Sequence, residues 1–219
     1  MTHKNSVSIE IYGYSCVILI DANIFTVADL LHVQGGYPFR GSIEESVDGD
    51  VLALQMKDVD PEHGVRWSGV MRTTLTGRKK PDWLKAADIL IVSKGARFYA
   101  VCLDEPPYPA VCSPHFFHLQ VKSQLTAIPA FIAWQINQPP FQRQLKQAAE
   151  GTSQLSIRRP VLEALTLSIP SLADQHRIVA LAELARQERQ TLNQLIANRE
   201  QQLNALANSL DSGLFQAAT

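Results

Sequence analysis

Residues 174–210 contain no proline and no glycine, an unbroken run of 37 residues entered through Ile169-Pro170-Ser171-Leu172-Ala173-Asp174-Gln175-His176-Arg177-Ile178-Val179. As one helix this run measures about 55 Å. Helices inside globular domains usually stop before about 25 residues, so the run predicts a coiled coil, a helical repeat or a spacer between bodies. Its apolar residues are Ile178, Leu181, Leu184, Leu192, Leu195, Ile196, Leu203, Leu206 and Leu210. Spacings of three and four dominate, which gives one apolar stripe. Arg199 interrupts the stripe, while Ala182, Ala185, Ala197, Ala205 and Ala207 permit close backbone approach. Packing the stripe on the chain's own head is one solution. A head of roughly 150–170 residues is narrower than this helix, however, so the far end needs another partner. The division expected is a head over 1–170, a spacer or dimerisation helix over 171–212 and a tail over 213–219.

The three cysteines among 219 residues, Cys16, Cys102 and Cys112, suit a reducing compartment. No signal-peptide pattern opens the sequence, and Cys16–Ile20 is too short to span a bilayer. A cytoplasmic location is the expectation. Net charge is only −1, yet it is unevenly spread. Residues 1–65 carry three basic against ten acidic side chains, and residues 66–97 carry eight basic against two acidic. Such asymmetry predicts a polyanion partner for the central segment, the alternative being a solvated basic loop.

Short apolar or β-branched runs separated by turns fill the head. Strands are predicted at Ser6–Tyr12, Cys16–Ile20, Val51–Met56, Ala87–Ser93, Phe98–Leu103, Val111–Val121 and Leu162–Ile169. Thr26–His32 fits a helical turn or a strand. Pro129–Asn137 fits a helix with proline in its first turn. Gln138-Pro139-Pro140 then reads as an interruption, and Phe141–Glu150 as a second helix capped by Gly151. The fold class is therefore α+β: a mixed, β-rich head with a few helices, its sheet antiparallel and barrel-like, followed by a long C-terminal coiled-coil helix.

An ordered series of local patterns resembles one half of the specificity subunit of type I restriction-modification systems. Gly36-Tyr37-Pro38-Phe39 is similar to the Gly-aromatic-Phe element of that family's target recognition domain. Leu84–Gly95, with Ala87-Asp88-Ile89-Leu90-Ile91, is similar to its Gly-Asp-Ile-Leu strand and following glycine turn. Phe131–Leu145 resembles its two-part helix. Gly151-Thr152 through Ile178 resembles its isoleucine-proline, acidic-Gln, basic-Ile junction into the spacer helix. The resemblance covers approximately residues 25–210. Two departures stand out: Ala87 occupies the usual glycine position, and residues 1–24 look like an addition. A full specificity subunit has two recognition domains and two spacer helices, and this chain has one of each.

The resemblance implies a non-catalytic, sequence-specific DNA-recognition subunit of a phage-defence system, with one half-site read per head. It implies partners in the methylation (modification) subunit and the restriction/translocase subunit, with S-adenosylmethionine on the methylation partner only and no cofactor on this chain. It also implies an antiparallel helix pair, which in a chain with one such helix comes from a second copy and makes a symmetric homodimer. Arginine and lysine supply phosphate contacts and can read guanine edges, and threonine, serine and glutamine reach other bases. Candidate DNA contacts are Arg66, Arg72, Thr73, Thr74, Arg78, Lys79 and Lys80, then Lys94 and Arg97, then Thr152, Ser153, Gln154 and Arg158. Candidate helix-pairing residues are Ile178, Leu181, Leu192, Leu195, Ile196, Leu203, Leu206 and Leu210.

Cys102, Cys112, His115 and His118 offer metal-ligand types at a spacing unlike the usual zinc patterns, so no metal is expected. No Gly-x-Ser-x-Gly, phosphate-binding glycine loop or His-Glu-x-x-His is present, and no enzyme activity is expected. Asn137-Gln138-Pro139-Pro140-Phe141 approaches the Asn-Pro-Pro-aromatic methyltransferase signature, but Gln138 breaks the tetrapeptide. The second function class left open is an assembly or regulatory protein with this fold that no longer reads DNA.

Overall fold

The computed structural model describes the backbone of residues 4–10, 17–75, 77, 79–151 and 155–216, and side chains over 21–75, 77, 79–151 and 155–210. In chain order the elements are β1 (Lys4–Glu10), β2 (Val17–Thr26), α1 (Val27–Leu30), β3 (Leu31–Gly35), β4 (Val51–Leu54), β5 (Val59–Asp60), β6 (Gly64–Val65), β7 (Met71–Thr73), β8 (Ile89–Val92) and β9 (Lys94–Gly95). They continue with β10 (Ala100–Cys102), β11 (Ala110–Cys112), β12 (Phe116–Val121), α2 (Pro129–Ile136), α3 (Pro139–Ala148), β13 (Leu155–Ser156), α4 (Arg159–Ala164), β14 (Thr166–Pro170) and α5 (Leu172–Gln216). Two compact units result, Met1–Val179 and Ala180–Thr219.

The head is organised around an antiparallel sheet of order β10-β8-β12-β3. All four residues of β8, Ile89-Leu90-Ile91-Val92, are buried, because both faces of this sheet are covered. Strand side chains alternate between faces. Ile89, Ile91, Val33 and Leu119 therefore pack with Phe131, Ile132 and Ile136 of α2, Phe141 and Leu145 of α3 and Leu162 of α4. Leu90, Val92 and Phe116 pack instead with Leu52, Leu54, Val70, Leu84 and Leu103. A second sheet, of order β11-β4-β7, joins β11 and β4 in parallel and β4 and β7 antiparallel. A third, β1-β2-β14, is antiparallel and pairs Ala22–Thr26 with Thr166–Pro170. Asn23 and Ile24, within the segment set apart in the sequence, thus share a sheet with the last strand of the head.

Several expectations need correction. The β body is not one antiparallel barrel but separate sheets, one containing a parallel pair. Val111–Val121 is two strands, since Ser113, Pro114 and His115 turn the chain between β11 and β12. Pro139 and Pro140 start α3 rather than interrupting a helix. The first helical N–H groups have no intrahelical acceptor, so proline costs nothing there. Gly151 is not the cap of α3; the helix ends at Ala148 with Ala149 extended, and Gly151 (φ +113°) turns the chain beyond it. Leu162 lies in α4, and the closing strand is only Thr166–Pro170.

The junction into α5 is built from its first residues. The Asp174 N–H donates to the Ser171 hydroxyl, which donates to the Asp174 carboxylate, and the Gln175 N–H donates to the Ser171 carbonyl. This satisfies donors that the first helical turn leaves open. Gln175 itself is completely buried. Its Oε1 accepts from the Ile128 N–H at 2.9 Å, and its Nε2 donates to the carbonyls of Thr126 and Pro170 at 2.9 and 3.0 Å. As a whole α5 spans the 45 residues Leu172–Gln216, past the expected end at 212 and through Gly213.

Candidate nucleic-acid interface

The central basic segment is spread over β7 and its flanks. Arg66 is exposed ahead of a 3₁₀ turn at Trp67–Gly69, its N–H donating to the Asp58 carbonyl. Arg72 stands opposite Leu52 in the β4–β7 register. Its guanidinium carbon lies 4.1 Å from the centre of the Tyr108 ring. Tyr108 arrives there because the Leu52 N–H donates to the Pro109 carbonyl at the start of the β11–β4 pairing, which ends the Glu105–Pro109 loop beside β4, the strand that Arg72 of β7 also flanks. Thr73, expected among the contacts, is buried, and its hydroxyl donates to the Glu44 carbonyl at 2.8 Å. It also lines the cleft beside this segment. Thr74 is exposed, as are Lys79 and Lys80, but Lys79 is paired with Asp82 at 2.9 Å. Arg78 lies outside the described residues.

Beside this segment Tyr37, Phe39, Arg40, Ser42, Glu44, Thr74 and Gly77 line a cleft of about 190 Å³. Gly36 makes the approach possible, since a Cβ there would stand 2.0 Å from the Ser113 carbonyl oxygen. The Gly36 and Tyr37 N–H groups donate to the carbonyls of Phe116 and Cys112, fixing the Gly-Tyr-Pro-Phe element against the head.

A second basic group joins two segments far apart in sequence. Lys94 and Gly95 of β9 pair with Ser156 and Leu155 of β13. Gly95, at φ +149°, adopts backbone suited to glycine. Lys94 and Arg97 are exposed next to it. Arg158 is exposed but pairs with Glu150 at 2.6 Å. Thr152, Ser153 and Gln154 lie outside the described residues.

Beneath the surface, Asp88 accepts from the Gln120 amide at 3.0 Å and the Lys85 N–H at 2.9 Å, and lies 2.6 Å from Nε2 of the buried His118. Burial pushes its carboxyl up, but the bonds from His118 and Gln120, the His118 charge and the Lys85 N–H outweigh burial and hold it below the ordinary value. His118 is thereby committed to a carboxylate. Among the described residues no three histidine, cysteine or acidic groups cluster to hold an ion. Burial, with nearby carboxylates, pushes the Cys102 thiol up to about 11. Burial likewise pushes Cys112 to about 12, so both thiols stay protonated at neutral pH. Ala87, just before Asp88, has φ +66° and is the one described non-glycine residue with positive φ. Glycine adopts this conformation without the strain an alanine bears.

No family model and no curated protein matches the sequence. Solved structures do match the fold. A type I restriction-modification S subunit from M. genitalium aligns over 81% of this chain and 42% of its own, at 16% identity and TM-score 0.54. The HsdS subunit from Thermoanaerobacter tengcongensis aligns over 79% and 39%, at 15% identity and TM-score 0.54. A chain from a structure of type I R-M complex assembly and conformational transition aligns over 84% and 43%, at 15% identity and TM-score 0.63. This chain has the type I S-subunit fold. It spans about two fifths of the length of those chains.

Within the S-subunit fold, the junction motif becomes the capped, Gln175-anchored start of α5. Of the expected helix-pairing residues, Ile178 is half-buried and packs with Val179 against the head core. Leu181, Leu192, Leu195, Ile196, Leu203, Leu206 and Leu210 are each more than half exposed, and every residue from 191 to 210 is exposed. Among the described residues no helix is long and apolar enough to cross a membrane. Tyr108, in the sequence no more than part of a proline-rich separator, is half exposed on Arg72.

Proposed function

We propose that this chain is a non-catalytic, sequence-specific DNA-recognition subunit of a cytoplasmic type I restriction-modification system. The observation that carries the reading is the S-subunit fold over about four fifths of the chain. The head reads one half-site through the surface around Arg66, Arg72, Thr74, Lys79 and Lys80, with Lys94, Arg97 and the 152–158 loop as a further contact. The exposed stripe of α5 pairs with the same helix of a second copy, burying apolar side chains that water otherwise meets. Methylation and restriction subunits assemble on this dimer, and S-adenosylmethionine is held by the methylation partner.

The ion pairs Lys79–Asp82 and Arg158–Glu150 favour a second reading, because they neutralise part of the basic surface internally. On that reading the chain scaffolds or regulates assembly without reading DNA. Neutralising Arg72, Arg78, Lys79 and Lys80 together separates the two. DNA recognition requires that binding fall and that the log–log salt slope flatten by about one for each phosphate no longer neutralised. Unchanged DNA behaviour with intact partner binding establishes the scaffold reading.

A further inference from the structure

Arg72 lies over an aromatic ring, unlike the ion-paired basic residues of the head. Arg158, Arg159, Arg177 and Lys79 each have a carboxylate within 4 Å. No described residue accepts a hydrogen bond from the Arg72 side chain, and none forms an ion pair with it. Its one described partner is the face of Tyr108, 4.1 Å away. A guanidinium on an aromatic ring is held in plane by cation–π attraction while the N–H groups around its rim remain available. Both members are held from beneath. Arg72 is anchored through β7, where Leu52 stands opposite it and its carbonyl accepts from the Ser46 N–H. Tyr108 is anchored by the Pro109 carbonyl on the Leu52 N–H. An arginine fork so oriented, half-buried and with no described acceptor of its own, offers paired N–H groups to a bidentate acceptor; a guanine edge and a phosphate are the two on a DNA duplex, and the test below separates them.

We propose that Arg72 reads a guanine and that Tyr108 is its positioning residue, holding the guanidinium so that two N–H groups meet the O6 and N7 edge of one G·C pair in the major groove. The proposal rests on the DNA-recognition reading and adds a base-specific role that a phosphate-binding arginine lacks.

The test uses the full chain, with the methylation partner present, on the duplex that the wild type enriches from a random library and on versions with each base pair replaced in turn. Arg72→Ala removes about tenfold or more of the discrimination at one G·C pair and leaves the other positions unchanged. Arg72→Lys behaves alike at that pair, because it keeps the charge and loses the fork. Tyr108→Ala removes about two- to fivefold at the same pair, and Tyr108→Phe, which keeps the ring face, restores it. Uniform weakening on every duplex, rescued by Arg72→Lys, identifies a phosphate contact and overturns the proposal while leaving DNA recognition standing. Unchanged discrimination in Tyr108→Ala overturns the positioning role. Failure of the wild type to enrich any sequence is a failure of the underlying reading instead.

Discussion

The Oε1 of Gln175 accepts the Ile128 N–H at 2.9 Å, tying the first turn of α5 to the residue that caps α2. With the two bonds donated by its Nε2, a fully buried amide is used on both sides. This side chain, together with the Ser171 cap, fixes the first turn of α5 on the head.

Gln175→Leu leaves the Ile128 N–H and the carbonyls of Thr126 and Pro170 without these partners. Unmade buried bonds cost about 1–3 kcal/mol each, partly relieved by relaxation, so a loss of about 2–4 kcal/mol is expected. Urea unfolding should show a lower midpoint at unchanged slope.

Ala87→Gly should stabilise the head. An alanine at φ +66° bears a left-handed strain of about 1 kcal/mol that glycine does not. A rise of roughly 2–4 °C in the thermal midpoint is expected for a chain of this size, and Ala87→Val should lower it.

Asp88 gives a pH dependence of known sign. Its folded pKa is depressed, so its contribution is present above the unfolded value near 3.9 and is lost as pH falls through the lower folded value. In urea titrations the wild type should exceed Asp88→Asn at pH 7, and the gap should close as pH falls from about 5 to about 3. A gap that widens over this range contradicts the assignment.

The α5 stripe predicts self-association that depends on register. Arg199→Leu should tighten the dimer, since it replaces a charge within the stripe by an apolar side chain, and Leu195→Asp with Leu203→Asp should dissociate it. Sedimentation equilibrium reads both, and an unchanged dissociation constant for Arg199→Leu moves the seam away from this position.

Local patterns carry much of this architecture. Four consecutive apolar residues at Ile89–Val92 read as a buried strand, and the run from Ile169-Pro170 to Ile178 reads as the entry into a long helix, though not its Ser171 cap. Long-range pairings are not legible. The β9–β13 ladder involves two residues on each side, too few to leave a period. The parallel β4–β11 pair joins segments whose sequences alternate no differently from an antiparallel pair. Thr73 reads as an available hydroxyl because its acceptor, the Glu44 carbonyl, is 29 residues away. Gln175 on a helix reads as solvated, and Tyr108 carries no signal because its ring meets Arg72 only through the fold.

Selection of bound sequences from random duplexes, by the full chain with its methylation partner, tests DNA recognition most directly. The expected result is an enriched bipartite palindrome with a fixed spacer, one half-site per head and a G·C preference that disappears in Arg72→Ala. Recovery of no enriched half-site, with or without the partner, would contradict the account.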